Sequence, residues 1–294
     1  MRINGVEIED TFAEAFRMWG ARLIITAATP PWARTAAQVT TGFATSVIGC
    51  GCEAGVEREL APEETPDGRP GASALFFVTS SKAMEQLLLL RIGQGVMTCP
   101  TTACFNGLEG EKEIKVGASL RYFGDGFQSS KLLAGRRLWR IPVMEGEFLV
   151  DETFAMTRSV GGGNFLVLGE NADTTLAAAE AAVSAMKGVR QVIMPFPGGI
   201  VRSGSKVGST YRFLRASTNT AFCPTLRAQV ETALPDGVNS VLEIIINGLS
   251  ETSVREAMRV GIEAACQPGI VRISAGNYGG KLGQFQIALQ ELWA

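Results

Sequence analysis

The sequence predicts an α+β chain of two lobes, each an antiparallel sheet with helices on one face, related by an internal duplication. Three observations lead there. The length of 294 residues suits one large domain or two of ordinary size. In the second half, strand-like and helix-like segments follow in the order strand, helix, strand, strand, strand, helix, strand, and single helices between strands joined by short turns pack on one side of a sheet. The halves also resemble each other. Lys115–Phe123 is similar to Lys206–Leu214, an offset of 91 (206 − 115). The same shift carries Phe165–Gly169 onto Ala74–Val78 and Asp173–Lys187 onto Lys82–Val96. Two ferredoxin-like lobes fit this pattern best. They are expected at 1–145 and 146–294, with the boundary near Pro142–Gly146.

Taken in order, Glu9–Ala28 reads as a helix. Ala74–Thr79 is a short apolar run and reads as a strand, and Ser81–Ile92 as a helix. Lys115–Phe123 and Phe165–Leu168 read as strands. Asp173–Lys187 opens on a capping residue and closes before Gly188, which predicts a helix. Gln191–Met194, Lys206–Leu214 and Ser240–Ile246 read as strands. Ser250–Cys266 places Val254, Ala257, Met258, Gly261 and Ile262 at helical spacing and stops before Pro268-Gly269, and Ile270–Ser274 closes the series as a strand.

Composition narrows the function classes. Hydrophobic residues make up 46% and charged residues 19%, ordinary for a globular protein. A formal net charge of −2 provides no broad basic field, which argues against nucleic-acid binding. The first ten residues are too polar for a secretory signal, and no apolar run is long enough to span a bilayer, so no membrane association and a cytoplasmic location are expected. Six cysteines are then expected as thiols. Cys50-Gly-Cys52 is the one close pair, and without a second pair or any histidine no metal site is expected. The absence of histidine also means that proton chemistry must use another group.

Residues 195–225 are the most informative stretch. A strand-like run, Val192–Met194, leads into a Gly-rich turn bearing hydroxyls, Arg202 and Lys206. Glycines let a backbone approach a ligand closely, and exposed N–H groups hold anions or carbonyl oxygens. Gly199 and Gly204 have the spacing of a phosphate-binding loop. Ser205-Lys206 then stands where Lys-Ser/Thr is needed, and a strand follows instead of a helix, so a nucleotide loop is disfavoured. A substrate-holding loop or a plain tight turn remains. Gly161–Asn164 and Gly276–Lys281 are further Gly-rich connections without dinucleotide spacing. Cys99, Cys104 and Cys223 lack a histidine to generate a thiolate, so structural roles are expected for them.

Glu243 lies within Val241–Ile246, a run otherwise fully apolar, on the face of Val241 and Ile245. Burial there disfavours the charged form, and a carboxylic acid kept neutral near pH 7 can donate a proton. The alternative is an edge-strand carboxylate in solvent or paired with an arginine.

Several strings then carry a family resemblance. They include Thr65–Gly71, Thr98–Ala103, Phe123–Gly126, Gly162–Asn164, Pro195–Val201, Ser203–Ser209, Ala216–Asn219, Phe222–Leu226 and Ala275–Gly283, and they run almost end to end. On these the chain resembles the formylmethanofuran–tetrahydromethanopterin formyltransferases. The resemblance implies two ferredoxin-like lobes and reversible transfer of a formyl group between the amine of methanofuran, or an analogue, and N5 of tetrahydromethanopterin. Both would be coenzyme substrates, with no permanently bound cofactor and no metal. It implies a homo-oligomer, a dimer or tetramer, and Glu243 matches the family's proposed acid. Phe196, Pro197, Gly198, Gly199, Ser203, Gly204, Ser205, Lys206, Asn277 and Tyr278, on the matching Gly-rich strings, are the expected substrate-binding residues. Twenty arginines against seven lysines suggest a methylotrophic bacterium, where the similar subunit joins formylmethanofuran hydrolase subunits and the formyl group leaves as formate. The rival readings are a silent pterin-binding scaffold subunit, a folate-type formyltransferase, whose usual Asn-His-Asp site this chain cannot supply, and a nucleotide binder.

Overall fold

Pairing between strands far apart in sequence organises this chain, of which a computed structural model describes residues 1–133 and 135–294. In chain order the first half carries β1 (Arg2–Ile3), β2 (Val6–Ile8), β3 (Phe12–Thr26), α1 (Pro30–Thr41), α2 (Val47–Cys50), β4 (Glu53–Leu60) and β5 (Gly71–Val78). Then come α3 (Ser81–Arg91), β6 (Ala103–Asn106), β7 (Lys112–Ile114), α4 (Val116–Leu120), β8 (Ser129–Leu133) and β9 (Arg136–Val143). The second half carries β10 (Gly146–Asp151), β11 (Phe154–Gly169), α5 (Ala172–Met186), β12 (Val192–Ile193), β13 (Lys206–Val207) and β14 (Ala216–Ser217). It ends with β15 (Ser240–Gly248), α6 (Glu251–Ala265), β16 (Ile270–Ser274) and β17 (Phe285–Ala288).

Packing divides the chain into one unit of Met1–Arg17 with Val160–Ala294 and another of Met18–Ser159. This division differs from a cut at 145/146, for a reason visible in the pairing. β10 pairs with β6 and β9, and Phe154–Met156 of β11 pair with β7, so residues 146–159 are tied to the 18–159 unit. β2 lies parallel to β16, and Phe12–Ala15 pair with β17, which ties the N-terminus to the 160–294 unit.

Within the 18–159 unit, β3, α1, β4, β5, α3 and β6 form a βαββαβ element. Its antiparallel sheet has the order β4-β5-β3-β6. β6 is then extended by parallel β10, followed by β9 and β8. In the other unit, β11, α5, β12, β15, α6 and β16 repeat the plan, with order β12-β15-β11-β16. Here β16 is extended by parallel β2 and then β1. Both units are ferredoxin-like, and the duplication extends to their added strands.

The register of the repeat is not the one the sequence suggested. Phe154 opens β11 as Phe12 opens β3, an offset of 142 (154 − 12). The shift of 91 instead laid β5, the third strand of its βαββαβ element in chain order, over β11, the first strand of the other. Lys115–Phe123 is not a strand: α4 and a 3-10 turn occupy it, burying Val116, Gly117 and Leu120 at helical spacing. Of Lys206–Leu214, Lys206–Val207 alone is extended, opening a small hairpin with β14. Glu9–Ala28 is not a helix. Its alanines favour one, but Leu23 and Ile25 are fully buried in β3 between β5 and β6, and tertiary pairing overrides propensity.

In the 160–294 unit the two helices cover one sheet face. Ala178, Ala182 and Met186 of α5 and Val254, Met258 and Ile262 of α6 pack on Phe165, Val167, Ile244 and Ile246. Asn171 and Ser250 cap these helices by accepting the N–H groups of Thr174 and Ser253. The opposite face, with Leu166, Leu168 and Val241, is covered by Leu234, Val238 and Phe222 from the long excursion between β12 and β15. No helix among the described residues is long and apolar enough to cross a membrane.

Candidate active site

Side chains alternate along β15, so the helix-covered face takes Ile244 and Ile246 while Glu243 turns with Val241 towards the excursion. Glu243 pairs with Leu166 of β11 on one side. On the other, Val201 donates its N–H to the Glu243 carbonyl at 2.7 Å, and the Glu243 N–H returns a bond at 3.0 Å. This bridge brings the start of the Gly-rich turn against β15. Between them lies a cleft of about 710 Å³, whose walls include Glu243, Leu166, Val201, Arg202, Ser203 and Gly204. Asn219, Cys223, Thr225 and Asn239 from the excursion and Ser240 from the start of β15 complete its polar lining.

Desolvation pushes the pKa of the Glu243 carboxyl from 4.5 to about 7. Such a group is part acid and part base at neutral pH. Gly276 stands close by: a Cβ added there would lie 3.5 Å from Glu243 Oε1 and 3.2 Å from Asn164 Oδ1. Asn164 fixes this approach. Its Oδ1 accepts the Gly276 N–H at 2.6 Å, while its Nδ2 donates to the carbonyls of Gly162 and Gly276 at 3.0 and 3.1 Å.

The loop beyond Gly276 is wound around a second carboxylate. Glu14 of β3 is 1% exposed and accepts four backbone N–H groups, from Tyr278 at 2.7 Å, Gly280 at 2.9 Å, Leu282 at 2.6 Å and Gly283 at 2.5 Å. Burial works against its charge, but these four donors outweigh it and hold the carboxyl below the usual range. The wrap needs glycine: a Cβ on Gly283 would meet the Ala15 carbonyl oxygen at 2.5 Å. Tyr278 is set by this loop. Its ring packs on Phe16 at 6.2 Å, and its phenol reaches the Ser205 hydroxyl. Burial raises the phenol pKa, and Glu243 and then Glu14 push it further the same way.

The expected site residues therefore separate. Glu243, Ser203 and Gly204 share the cleft wall, and Tyr278 meets Ser205. Phe196, Pro197, Gly198 and Gly199 form a 3-10 turn before that wall. Gly199, at φ +82°, is pressed against Val183 of α5. Exposed Lys206 donates from Nζ to the Thr220 hydroxyl at 2.9 Å. Asn277 donates to Thr11 Oγ1 and the Phe12 carbonyl, holding its loop to the start of β3. Glu14 and Asn164 were missed by sequence reasoning. Glu14 was hidden in a segment read as helix, and Asn164 gave only a Gly-rich loop signal. Among the described residues no cluster of three His, Cys, Asp or Glu side chains could hold a metal ion.

Known proteins share this fold. A model of the formylmethanofuran–tetrahydromethanopterin formyltransferase family matches residues 1–143, and a model of that family's proximal lobe matches 146–292. A Methylobacillus flagellatus protein described as formylmethanofuran–tetrahydromethanopterin formyltransferase is 60% identical, with both chains covered completely. Two solved structures superpose closely. One is the formyltransferase of that name from Methanosarcina barkeri, with a TM-score of 0.96, 53% identity and full coverage of both chains. The other is a chain of the formyltransferase/hydrolase complex of Methylorubrum extorquens, solved with methylofuran. Its TM-score is 0.97 at 51% identity, with 100% of this chain and 99% of that one covered.

Proposed function

The chain belongs to the formylmethanofuran–tetrahydromethanopterin formyltransferase family, and from that premise we propose that its formyl transfer runs through Glu243 as proton donor on the cleft wall. The activity is transfer of a formyl group between N5 of tetrahydromethanopterin and the amine of methanofuran or an analogue. The amine nitrogen attacks the formyl carbon, a C–N bond forms, and the carbonyl electron pair moves onto oxygen. Backbone donors of the 203–205 turn serve that oxyanion. Collapse re-forms the carbonyl and breaks the bond to N5. Protonated Glu243 delivers its proton to N5, and the resulting carboxylate takes up the proton that the attacking nitrogen sheds. The protein is returned unchanged, and the same path read backwards serves the reverse transfer. No covalent enzyme intermediate is required, which suits a chain without histidine. Ser203, Gly204, Ser205 and Tyr278 hold the two coenzymes in line, and orientation supplies much of the rate.

The observation that carries this reading is the place of the Glu243 carboxyl on the cleft wall, where burial raises its pKa to about 7. A formyl-transfer assay on Glu243→Gln tests it. Loss of a general acid lowers kcat by about 10²- to 10⁴-fold, with Michaelis constants changed severalfold at most. A kcat within twofold of the parent rejects the assignment. The complex solved from Methylorubrum extorquens supports a further reading, in which this chain also works beside hydrolase subunits. Purification of the native protein as a lone species, with no hydrolase subunit retained, overturns that association.

A further inference from the structure

Between Glu180 and Glu231 the chain has no acidic residue at all, while Lys187, Arg190, Arg202, Lys206, Arg212, Arg215 and Arg227 fall inside that interval. For a chain of net charge −2 this is a strong local excess. Elsewhere the usual partner of an arginine is a carboxylate: Arg22 has Glu57, Arg69 has Asp67, Arg136 has Asp151 and Arg272 has Glu7. In the acid-free interval, Arg227 alone among the described residues has an ion pair, a long one of 3.9 Å to Asp236. Arg202 lines the same cleft as Glu243 and is exposed. Lys206 and Arg215 follow on the small hairpin. Lys206 pairs with Ser217, and Gly208 donates its N–H to the Arg215 carbonyl, so strand alternation puts Lys206 and Arg215 on one face. Thr220, which takes the Lys206 ammonium, is adjacent to Asn219 of the cleft lining.

Resting on the formyltransferase reading, we propose that Arg202, Lys206 and Arg215 form a seat for an anionic appendage, carboxylate or phosphate, of one coenzyme substrate whose reacting end lies at Glu243. Unpaired cations leading away from the cleft attract such a group and fix it by charge-assisted hydrogen bonds. The seat holds an appendage and not the reacting atoms, so it binds ground state and transition state alike, acts on KM and leaves kcat unchanged.

The test uses the full chain with Arg202→Gln, Lys206→Gln and Arg215→Gln singly and combined, and Arg202→Lys as the charge-retaining control. Calorimetric titration with methanofuran and, separately, with tetrahydromethanopterin gives affinities that do not depend on turnover. Steady-state assays give KM and kcat for each. The expected result is a loss of about fivefold in affinity per removed charge, and roughly a hundredfold for the triple variant. The loss falls on one coenzyme only, which identifies the source of the anion, with kcat within twofold and near-parent affinity in Arg202→Lys. Raising the ionic strength weakens that coenzyme's binding to the parent and hardly affects the triple variant. Unchanged affinity for both coenzymes in the triple variant overturns the seat while leaving the transfer reaction intact. So does a loss confined to association with another protein chain. A parent chain that binds both coenzymes, one of them with charge-dependent affinity, but transfers no formyl group overturns the catalytic reading and keeps the seat.

Discussion

Two carboxylates meet the same loop in opposite electrostatic states. Glu243 has lost water, so its pKa rises to about 7. Glu14 is also buried but has gained four N–H groups, so its pKa falls. Opposite pH dependences follow. Stability contributed by protonated Glu243 is complete below about pH 4.5 and is lost as pH rises through about 7. A shift of this size corresponds to about 3 kcal/mol. Thermal melts of Glu243→Gln against the parent are expected to show the variant gaining relative stability between pH 5 and 8, and parallel melting curves across that range contradict the raised pKa. Glu14 works the other way: its contribution is present above the ordinary carboxylate value and is lost as pH falls through its lowered one. Glu14→Ala leaves four part-buried N–H groups without their acceptor and is expected to cost about 3 kcal/mol at pH 7. A melting temperature within a degree of the parent's sinks that account. Sequence alone exposed Glu243, because one acid in Val241–Ile246 breaks an apolar run. It concealed Glu14, whose partners lie more than 260 residues away.

At the level of elements, the working geometry depends on a backbone approach that only a missing side chain permits. Gly276 lies within reach of both Asn164 and Glu243, and the Asn164 amide grips its N–H and its carbonyl. Gly276→Ala needs no unusual backbone angle, since the φ of Gly276 is not among the positive ones, but its methyl crowds the Asn164 oxygen at 3.2 Å. The expected outcome is a melting temperature within a few degrees of the parent's and a kcat lowered by about tenfold or more, because small displacements at a reacting centre are costly. Unaltered kcat in this variant, measured with both coenzymes saturating, removes Gly276 from the site. The elements themselves were unevenly legible. α5 and α6 announce themselves by caps and periodicity, and β15 by an apolar run. β3 does not, because Phe12–Thr26 is rich in alanine and its strand state is imposed by β5, β6 and β17. Lys115–Phe123 and Lys206–Leu214 share letters, yet one buries a helical face and the other projects as a hairpin. Similar letters in different surroundings produced the wrong offset for a real duplication.

For the whole molecule, the decisive fact is that the chain's beginning belongs with its end. Sequence order placed Met1–Arg17 in the first lobe, whereas pairing places it with Val160–Ala294. No local pattern reveals this, since β1 and β2 are two and three residues long and have no periodicity to read. The consequence is testable by deletion. Removing residues 1–17 strips parallel β2 from β16, takes Phe12–Ala15 from β17, and withdraws the Glu14 carboxylate around which Tyr278–Gly283 is wound. The βαββαβ core of the 18–159 unit keeps its β4-β5-β3-β6 pairing, because the β3 residues it uses begin at Trp19. Hydrogen exchange should therefore show lost protection in Ile270–Ser274 and Phe285–Ala288 and retained protection in Gly71–Val78. Formyl transfer should fall to background, since the loop beside Glu243 loses its anchor although every lining residue of the cleft is still present. A truncated chain that keeps full activity would mean that the cleft holds its shape without the N-terminal strands, and that Glu14 does not act through Gly276 on Glu243.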